Sequence, residues 1–340
     1  MRSVLVLGAR RMQLPLIDAA RRMGLRVLAA DPDFLAPGLA RVHAHAVLDL
    51  ADFSGCLDFA RAERIEGILT IAADYPMPTL ARLCEAMGLP GPSPEAVLRA
   101  TNKREMRRAF ERAGVPSPRS IPASSLEQAG RAVHDLDSTA VVKPGLSSGG
   151  RGVTCLPADA PPEAVETAFT SALEHSRSGE VLIEEFVEGP EYSVETITHG
   201  GRTHVVAVTD KITTGVPHFV EVGHSQPSAL PADARAAVED AARRAVEALG
   251  LDACAGHTEV RLSPRGPCVI ETGGRLGGGY ITSHLVPLAH GVALMEEAIR
   301  VAMGDAPRLD PRKRPKGAAV RFFRAPPGML EALGGVEEAR

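Results

Sequence analysis

Tryptophan is absent, and aromatic residues make up only 4% of the 340 residues. So few flat side chains argue against a base-stacking platform for single-stranded nucleic acid. Charge of one sign is not in excess either. The net charge of −4 offers no attraction to nucleic acid or to an anionic membrane. Cysteine is sparse: Cys56, Cys84, Cys155, Cys254 and Cys268 are an odd number with no C-x-x-C pair. Neither a disulfide framework nor a zinc site is indicated, and free thiols in a reducing cytoplasm are expected. Long apolar runs are missing too. Residues 4–7 are too few for a signal or membrane segment, and no cleavage site follows, so secretion is not expected.

What is present is an ordinary globular composition, 44% hydrophobic and 24% charged, with length for two or three domains. The chain opens as strand, helix, strand: residues 4–7, 14–23 and 27–30, with Asp31 at the end. Further helices at 52–64 and 78–87 flank a strand at 67–71, so a parallel sheet with helices on its faces is expected. A dinucleotide site is not, because Gly8-Ala9-Arg10-Arg11-Met12-Gln13 has one glycine where G-x-G-x-x-G requires three. Residues 336–340 break off within a helical pattern, and a shortened C-terminus is the expectation.

The stretch from His257 to Arg275 is chemically the most telling. It reads as two strands, 257–262 and 268–272, around the turn Ser263-Pro264-Arg265-Gly266-Pro267. With Val260, Leu262, Cys268 and Ile270 on one buried face, the simplest register sets 260 opposite 270 and 262 opposite 268. Glu259 then falls opposite Glu271 on the other face. Two directly opposed carboxylates repel and call for a cation, a shared proton or an arginine. Mg²⁺ uses one or two carboxylates together with substrate phosphates, and Arg275 stands at the mouth of the same face. The alternative is a solvent-facing hairpin with two exposed glutamates.

A second hairpin carries a phosphate signal. Residues 139–143 and 153–156 read as strands joined by Ser147-Ser148-Gly149-Gly150-Arg151-Gly152. Bare backbone N–H groups in such a loop can close on an anion, and Lys143 can aim its ammonium there. Residues 181–187 form a strand whose edge can offer backbone groups to an adenine, with Glu191 in reach of a ribose. A long loop over residues 211–230 contains Glu221 and His224, and loops of that length are often functional.

These segments together resemble the ATP-grasp superfamily, and within it the carboxylate–amine ligases that include bacterial L-amino-acid ligases. The blocks TNKREMRRAFERAGVPSP, VVKPGLSSGGRGV, VLIEEFVEGPEYSVE, FVEVGHSQPS and HTEVRLSPRGPCVIETGGRLGGG occur in the family's order. The implied architecture is α/β plus α+β: an N-terminal parallel-sheet, Rossmann-like domain over residues 1–101, an ATP-grasp small lobe or lid with its connecting helix over 102–187, and a large lobe with metal and substrate sites over 188–340. The resemblance implies ATP contacts from Lys103, Lys143, Ser147, Ser148, Gly149 and Gly152. Glu184, Glu185, Phe186 and Val187 would hold the adenine and Glu191 the ribose. Glu259 and Glu271 would carry Mg²⁺, with Mn²⁺ as a substitute. Glu221, His224 and Arg275 would face the substrate, with Arg275, Lys143 and His224 in catalytic roles. The departure is Gly273, where the family commonly has a metal-binding asparagine.

The expected reaction joins a small-molecule carboxylate to an amine, both amino acids, through an acyl phosphate. A homodimer through the first domain is the expected assembly. A bicarbonate- or formate-activating ATP-grasp enzyme and a non-ligating ATP-binding protein are the alternatives, with a nicotinamide oxidoreductase the most remote.

Overall fold

Four consecutive apolar residues, Val4 to Leu7, run through the middle of the first sheet and are wholly buried. They belong to β1 (Ser3–Leu7), which pairs in parallel with β2 (Arg26–Asp31) and β4 (Gly67–Leu69). β3 (Ala44–Val47) adds to β2, giving the order β3-β2-β1-β4. Side chains alternate across the strand. Val4 and Val6 join a cluster with Leu16 and Ile17 of α1 (Leu14–Arg22), whereas Leu5 and Leu7 meet α2 (Phe53–Ala62) and α3 (Met77–Met87). The computed structural model describes every residue except 148, 217, 218, 324–327, 330 and 340.

Two short helices lead out of this domain. α4 (Pro94–Thr101) starts at Ser93, whose hydroxyl accepts from the Ala96 N–H, and α5 (Lys103–Ala113) starts at Asn102, whose side chain accepts from Arg104 and Glu105. Such caps satisfy N–H groups that have no partner within the helix. Residues 94–101 carried no helix in the sequence reading, and the Ser93 cap with a proline after it is the signal that marks one. α5, grouped with the lid by sequence, packs its Met106, Ala109 and Phe110 into the large lobe's core, against Val238 and Ala242 of the long helix described below.

The lid is an antiparallel sheet of order β5-β8-β6-β7, made of β5 (Ser120–Ala123), β6 (Ala140–Pro144), β7 (Thr154–Leu156) and β8 (Val181–Glu185). α6 (Leu126–Leu136) and α7 (Pro162–Glu174) cover it through Val133, Leu136 and Phe169. β5 escaped the sequence reading because Pro122 interrupts it. A proline fits there because β5 lies at the sheet's edge.

The large lobe is an antiparallel sheet of order β13-β12-β9-β10-β11-β14. Its strands are β9 (Glu191–His199), β10 (Arg202–Thr213), β11 (Glu221–Gln226), β12 (Cys254–Ser263), β13 (Gly266–Gly273) and β14 (Ala318–Arg321), with α8 (Ala232–Leu249) packed on it. Within the expected loop over 211–230, residues 211–213 close β10 and residues 221–226 form β11, which pairs with β10, His224 opposite Lys211. Its polar sequence hid it, because its neighbours at the cleft are charged rather than apolar. Beyond β13 the chain forms α9 (Val286–His290) and α10 (Leu294–Ala302). α10 returns to the first sheet, where Ile299 and Val301 share the cluster of Val4 and Val6. Among the described residues no helix is long and apolar enough to cross a membrane.

Candidate active site

A cleft of about 830 Å³ lies between the lid sheet and the large-lobe sheet, within the range of small-molecule sites. Its floor follows from strand alternation. On β12, His257, Glu259 and Arg261 sit opposite Glu195, Ser193 and Glu191 of β9. On β13, Glu271 sits opposite Glu259 and Gly273 opposite His257. The expected opposition of the two glutamates holds, but the rest of the simple register does not. A bulge after Glu259 pairs Val260 with Val269, Arg261 with Cys268 and Leu262 with Pro267, leaving Ile270 as the extra residue. Ile270 therefore leaves the buried face and lines the cleft, while Val269 is fully buried in its place. A bulge bends and twists a strand locally.

Lysines meet the acids. Lys103 Nζ donates to Glu271 Oε1 (3.1 Å) and to the Ser147 carbonyl (3.0 Å). Lys211, absent from the sequence reading, touches three carboxylates: Glu191 at 2.6 Å, Glu259 at 2.6 Å and Glu221 at 2.9 Å. Burial alone would lower the Lys211 ammonium, yet these neighbours hold it well above its ordinary value. Burial likewise would raise the Glu259 carboxyl, and Lys211 with His257 holds it well below the carboxylate range. His257 hydrogen-bonds Glu195 at 2.6 Å. Against burial, that contact pushes the ring up to about 9.

On the lid side, Lys143 Nζ lies 2.5 Å from Glu184, whose carboxylate also takes a two-pronged contact from Arg107 at 2.8 and 3.0 Å. Burial, with Arg107 and Lys103 nearby, lowers Lys143 to about 8 despite Glu184. Burial would raise Glu184, but Arg107 and Lys143 bring it to about 2. Glu184 lies on β8, which is flanked by β5 and β6, so it is not at a free strand edge. The adenine edge expected at Glu184 is therefore not available there, since both its carboxylate and its strand are already engaged. Beyond it, the Glu185 and Phe186 N–H groups donate to Arg119 and Thr139, and the Glu185 carboxylate pairs with Arg265. Phe186 and Val187 line the cleft past the end of β8. Arg261 lies over Phe186 and Phe219 at 5.0 and 5.1 Å, donates to the Val187 carbonyl and pairs with Glu191.

Gly149, Gly150 and Gly152 of the lid loop have φ near +70°, a conformation open to glycine and strained for other residues. Ser147 and these glycines line the cleft, and Ser148 lies outside the described residues. Glu221 lines it too. Its carboxyl is held at about 2, first by the adjoining His224 ring and then, against burial, by Lys211. His224, expected to touch substrate, is 1% exposed and sealed behind Glu221. Its ring lies edge-on to Phe322, and neither nitrogen makes an aligned hydrogen bond. Arg275 lines the cleft and grips Asp74 of the first domain through Nε (2.8 Å) and Nη2 (3.1 Å).

Glu259 and Glu271 offer hard carboxyl oxygens on one face, each already drawn to an ammonium, which is the donor chemistry Mg²⁺ prefers. Among the described residues no three His, Cys, Asp or Glu side chains form a closed metal site. Two carboxylates suffice for an ion whose remaining ligands are phosphate and water.

His257 and Arg261 each lie two residues from Glu259 on β12, and the period-two pattern extended along that strand finds both, whereas Lys211 on β10 has no site residue at that spacing. Asp74 carries no comparable signal.

Residues 136–284 match the ATP-grasp domain family. The chain is 31% identical to the uncharacterised protein y4rH of Sinorhizobium fredii over 333 residues, covering 95% of this chain and 68% of that one. It is 33% identical to an alanine–anticapsin ligase of Bacillus subtilis over 223 residues, covering 58% of this chain and 46% of the relative. The chain thus spans about two thirds of the first relative and under half of the second. In fold it is similar to an L-amino acid ligase from Bacillus licheniformis, with a TM-score of 0.82 and 24% identity over 100% of this chain and 84% of that one. With its hairpin acids, glycine-tipped lid and three sheets in this arrangement, the chain belongs to the ATP-grasp superfamily.

Proposed function

We propose that this protein is an ATP-dependent carboxylate–amine ligase that works through an acyl phosphate. The observation that carries the reading is the opposition of Glu259 and Glu271, facing Lys103, Lys143 and the glycine-tipped loop across one cleft. Phosphoryl transfer needs mainly alignment and charge neutralisation, and this site is rich in both. Lys103 and Lys143 bind the phosphates, and the N–H groups of the 147–152 loop close on them. Phe186, Val187 and Phe219 border the adenine, and Glu191, steadied by Lys211 and Arg261, borders the ribose. Glu259 and Glu271 hold Mg²⁺, which when bound offsets phosphate charge.

In the first step a carboxylate oxygen attacks the γ-phosphorus and ADP leaves. In the second an amine attacks the acyl carbon, phosphate leaves and the amine gives up a proton. Arg275 orients the carboxylate and, once the acyl phosphate has formed, offsets the negative charge of the transferred phosphoryl group. Glu221 faces the substrate, and His224 acts through it as a positioning residue. The similarity to alanine–anticapsin ligase supports amino acids as substrates. The lid of residues 102–187, without α5, is the part that closes.

The test is ADP and phosphate release across pairs of amino acids, with mass spectrometry of the products. Glu271→Ala is expected to remove turnover in a folded protein. Near wild-type turnover in that variant, or no pair that supports ADP release, overturns the reading.

A further inference from the structure

Asp74 belongs to neither sheet that builds the cleft. It follows β4 of the first domain, where Ile71 bridges Leu276 and the Ala72 N–H donates to the Leu276 carbonyl at 3.0 Å. Ala72 has φ +57°, a left-handed backbone that a side chain makes costly. A Cβ at Gly278 would stand 3.0 Å from the Ala72 Cβ, so glycine is what lets the two segments close. The turn is thus stapled beside Arg275, and Asp74 enters the cleft wall from it.

The pair leaves capacity on both partners. Arg275 uses Nε and one Nη2 hydrogen on Asp74, while Nη1 has only a 3.4 Å contact with the Leu276 carbonyl. Each Asp74 oxygen accepts one of these bonds and keeps a second lone pair. Gly273 lies against the pair: a Cβ there would stand 3.3 Å from Asp74 Oδ1 and 3.4 Å from Arg275 Cζ. The missing side chain leaves the pair's face open to the cleft.

A lone arginine would suit any carboxylate. An arginine already neutralised by aspartate does not, because a simple anion gains from one partner and is repelled by the other. A ligand with both charges gains from each. Resting on the ligase reading, we infer that Asp74 is a specificity-determining residue. It takes the α-ammonium of a zwitterionic amino acid whose carboxylate is held by Arg275, so the activated substrate is an amino acid rather than a simple carboxylic acid.

The test is calorimetric titration of the full chain, with Mg²⁺ and a non-hydrolysable ATP analogue, by each standard L-amino acid and by the same acid lacking its amino group. At least one amino acid is expected to bind about tenfold or more tightly than its des-amino partner, as loss of a charge-assisted hydrogen bond predicts. Asp74→Asn is expected to erase that preference while binding of the ATP analogue changes less than about twofold. Equal binding of the two ligands by the wild type overturns the inference, as does failure of every amino acid to bind. So does an equal loss for both ligands in Asp74→Asn, which would make Asp74 a mere prop for Arg275. Should Asp74→Asn not fold, the wild-type comparison and Asp74→Glu, expected to weaken the amino acid selectively, decide the matter. Ammonium-dependent binding without ADP release from any pair would sink the ligase reading and leave this inference standing. ADP release driven equally by des-amino acids would do the reverse.

Discussion

Glu259 and Glu271 face each other at the last pair before the β12–β13 ladder slips by one residue. On the glycine side of that pair Thr258 meets Thr272 and His257 meets Gly273 in step. On the turn side every partner is displaced by the bulge. The two acids thus mark where a regular ladder gives way, and the added twist at a bulge turns Ile270 into the cleft.

Glu259 should matter through charge more than through packing. Glu259→Gln keeps the shape and removes one ionised metal donor. We expect turnover to fall about 10²–10³-fold, the range for losing one charge-stabilising group, while the protein stays folded. Chelation of the wild type should abolish ADP release, and Mg²⁺ or Mn²⁺ should restore it. Steady-state assays with and without chelator check both expectations, and metal-independent turnover would remove the two glutamates from their proposed role.

Lys211 is an ammonium shared by Glu191, Glu221 and Glu259. Lys211→Met leaves three carboxylates without it. Breaking a buried charge pair on one side costs about 3–5 kcal/mol, and the lower end applies because Glu221 remains partly exposed. Urea unfolding should show that loss, and added Mg²⁺ should recover part of it. An unchanged unfolding midpoint would mean that the cluster contributes nothing net.

Acid should weaken the fold through Glu184 and Glu221, both held near 2 against an ordinary 4.5. Between those values the unfolded chain binds protons that the folded chain does not, so stability rises with pH there. Their contribution is complete above about 4.5 and is lost as pH falls towards about 2. Unfolding midpoints from pH 6 to pH 3 should fall, and Glu221→Gln should flatten the slope. An unaltered slope in that variant would place the acid sensitivity elsewhere.

Much of this site could be read from the chain because its signals are local. The hairpin acids, the glycine loop and Lys143 each declare themselves within a few residues, continuous apolar runs announce β1 and β6, and apolar alternation announces β12. What stayed hidden depends on partners far apart in sequence. Lys211 acquires meaning only when β10 lies beside β9 and near β12, and Asp74 only when the first domain meets Arg275. β11 looked like a loop because polar residues fill a strand whose neighbours are charged. His224 was misjudged for the same reason, since the strand's register puts the ring behind Glu221. The bulge at Ile270 has no mark of its own in the residues around it.

α10 lies against the first sheet although nearly two hundred residues separate it from the start of the lid. A Cβ at Gly67 would meet the Met303 sulfur at 2.5 Å and the Ala302 carbonyl at 2.6 Å, and Arg22 clasps Glu296 at 2.9 Å. During synthesis, the β4 side of the first sheet therefore waits uncovered until residues 294–303 have emerged from the ribosome. The first sheet is completed by a helix made far later in the chain, and cutting the gene after codon 101 would deliver a sheet with an open apolar side rather than a separable module.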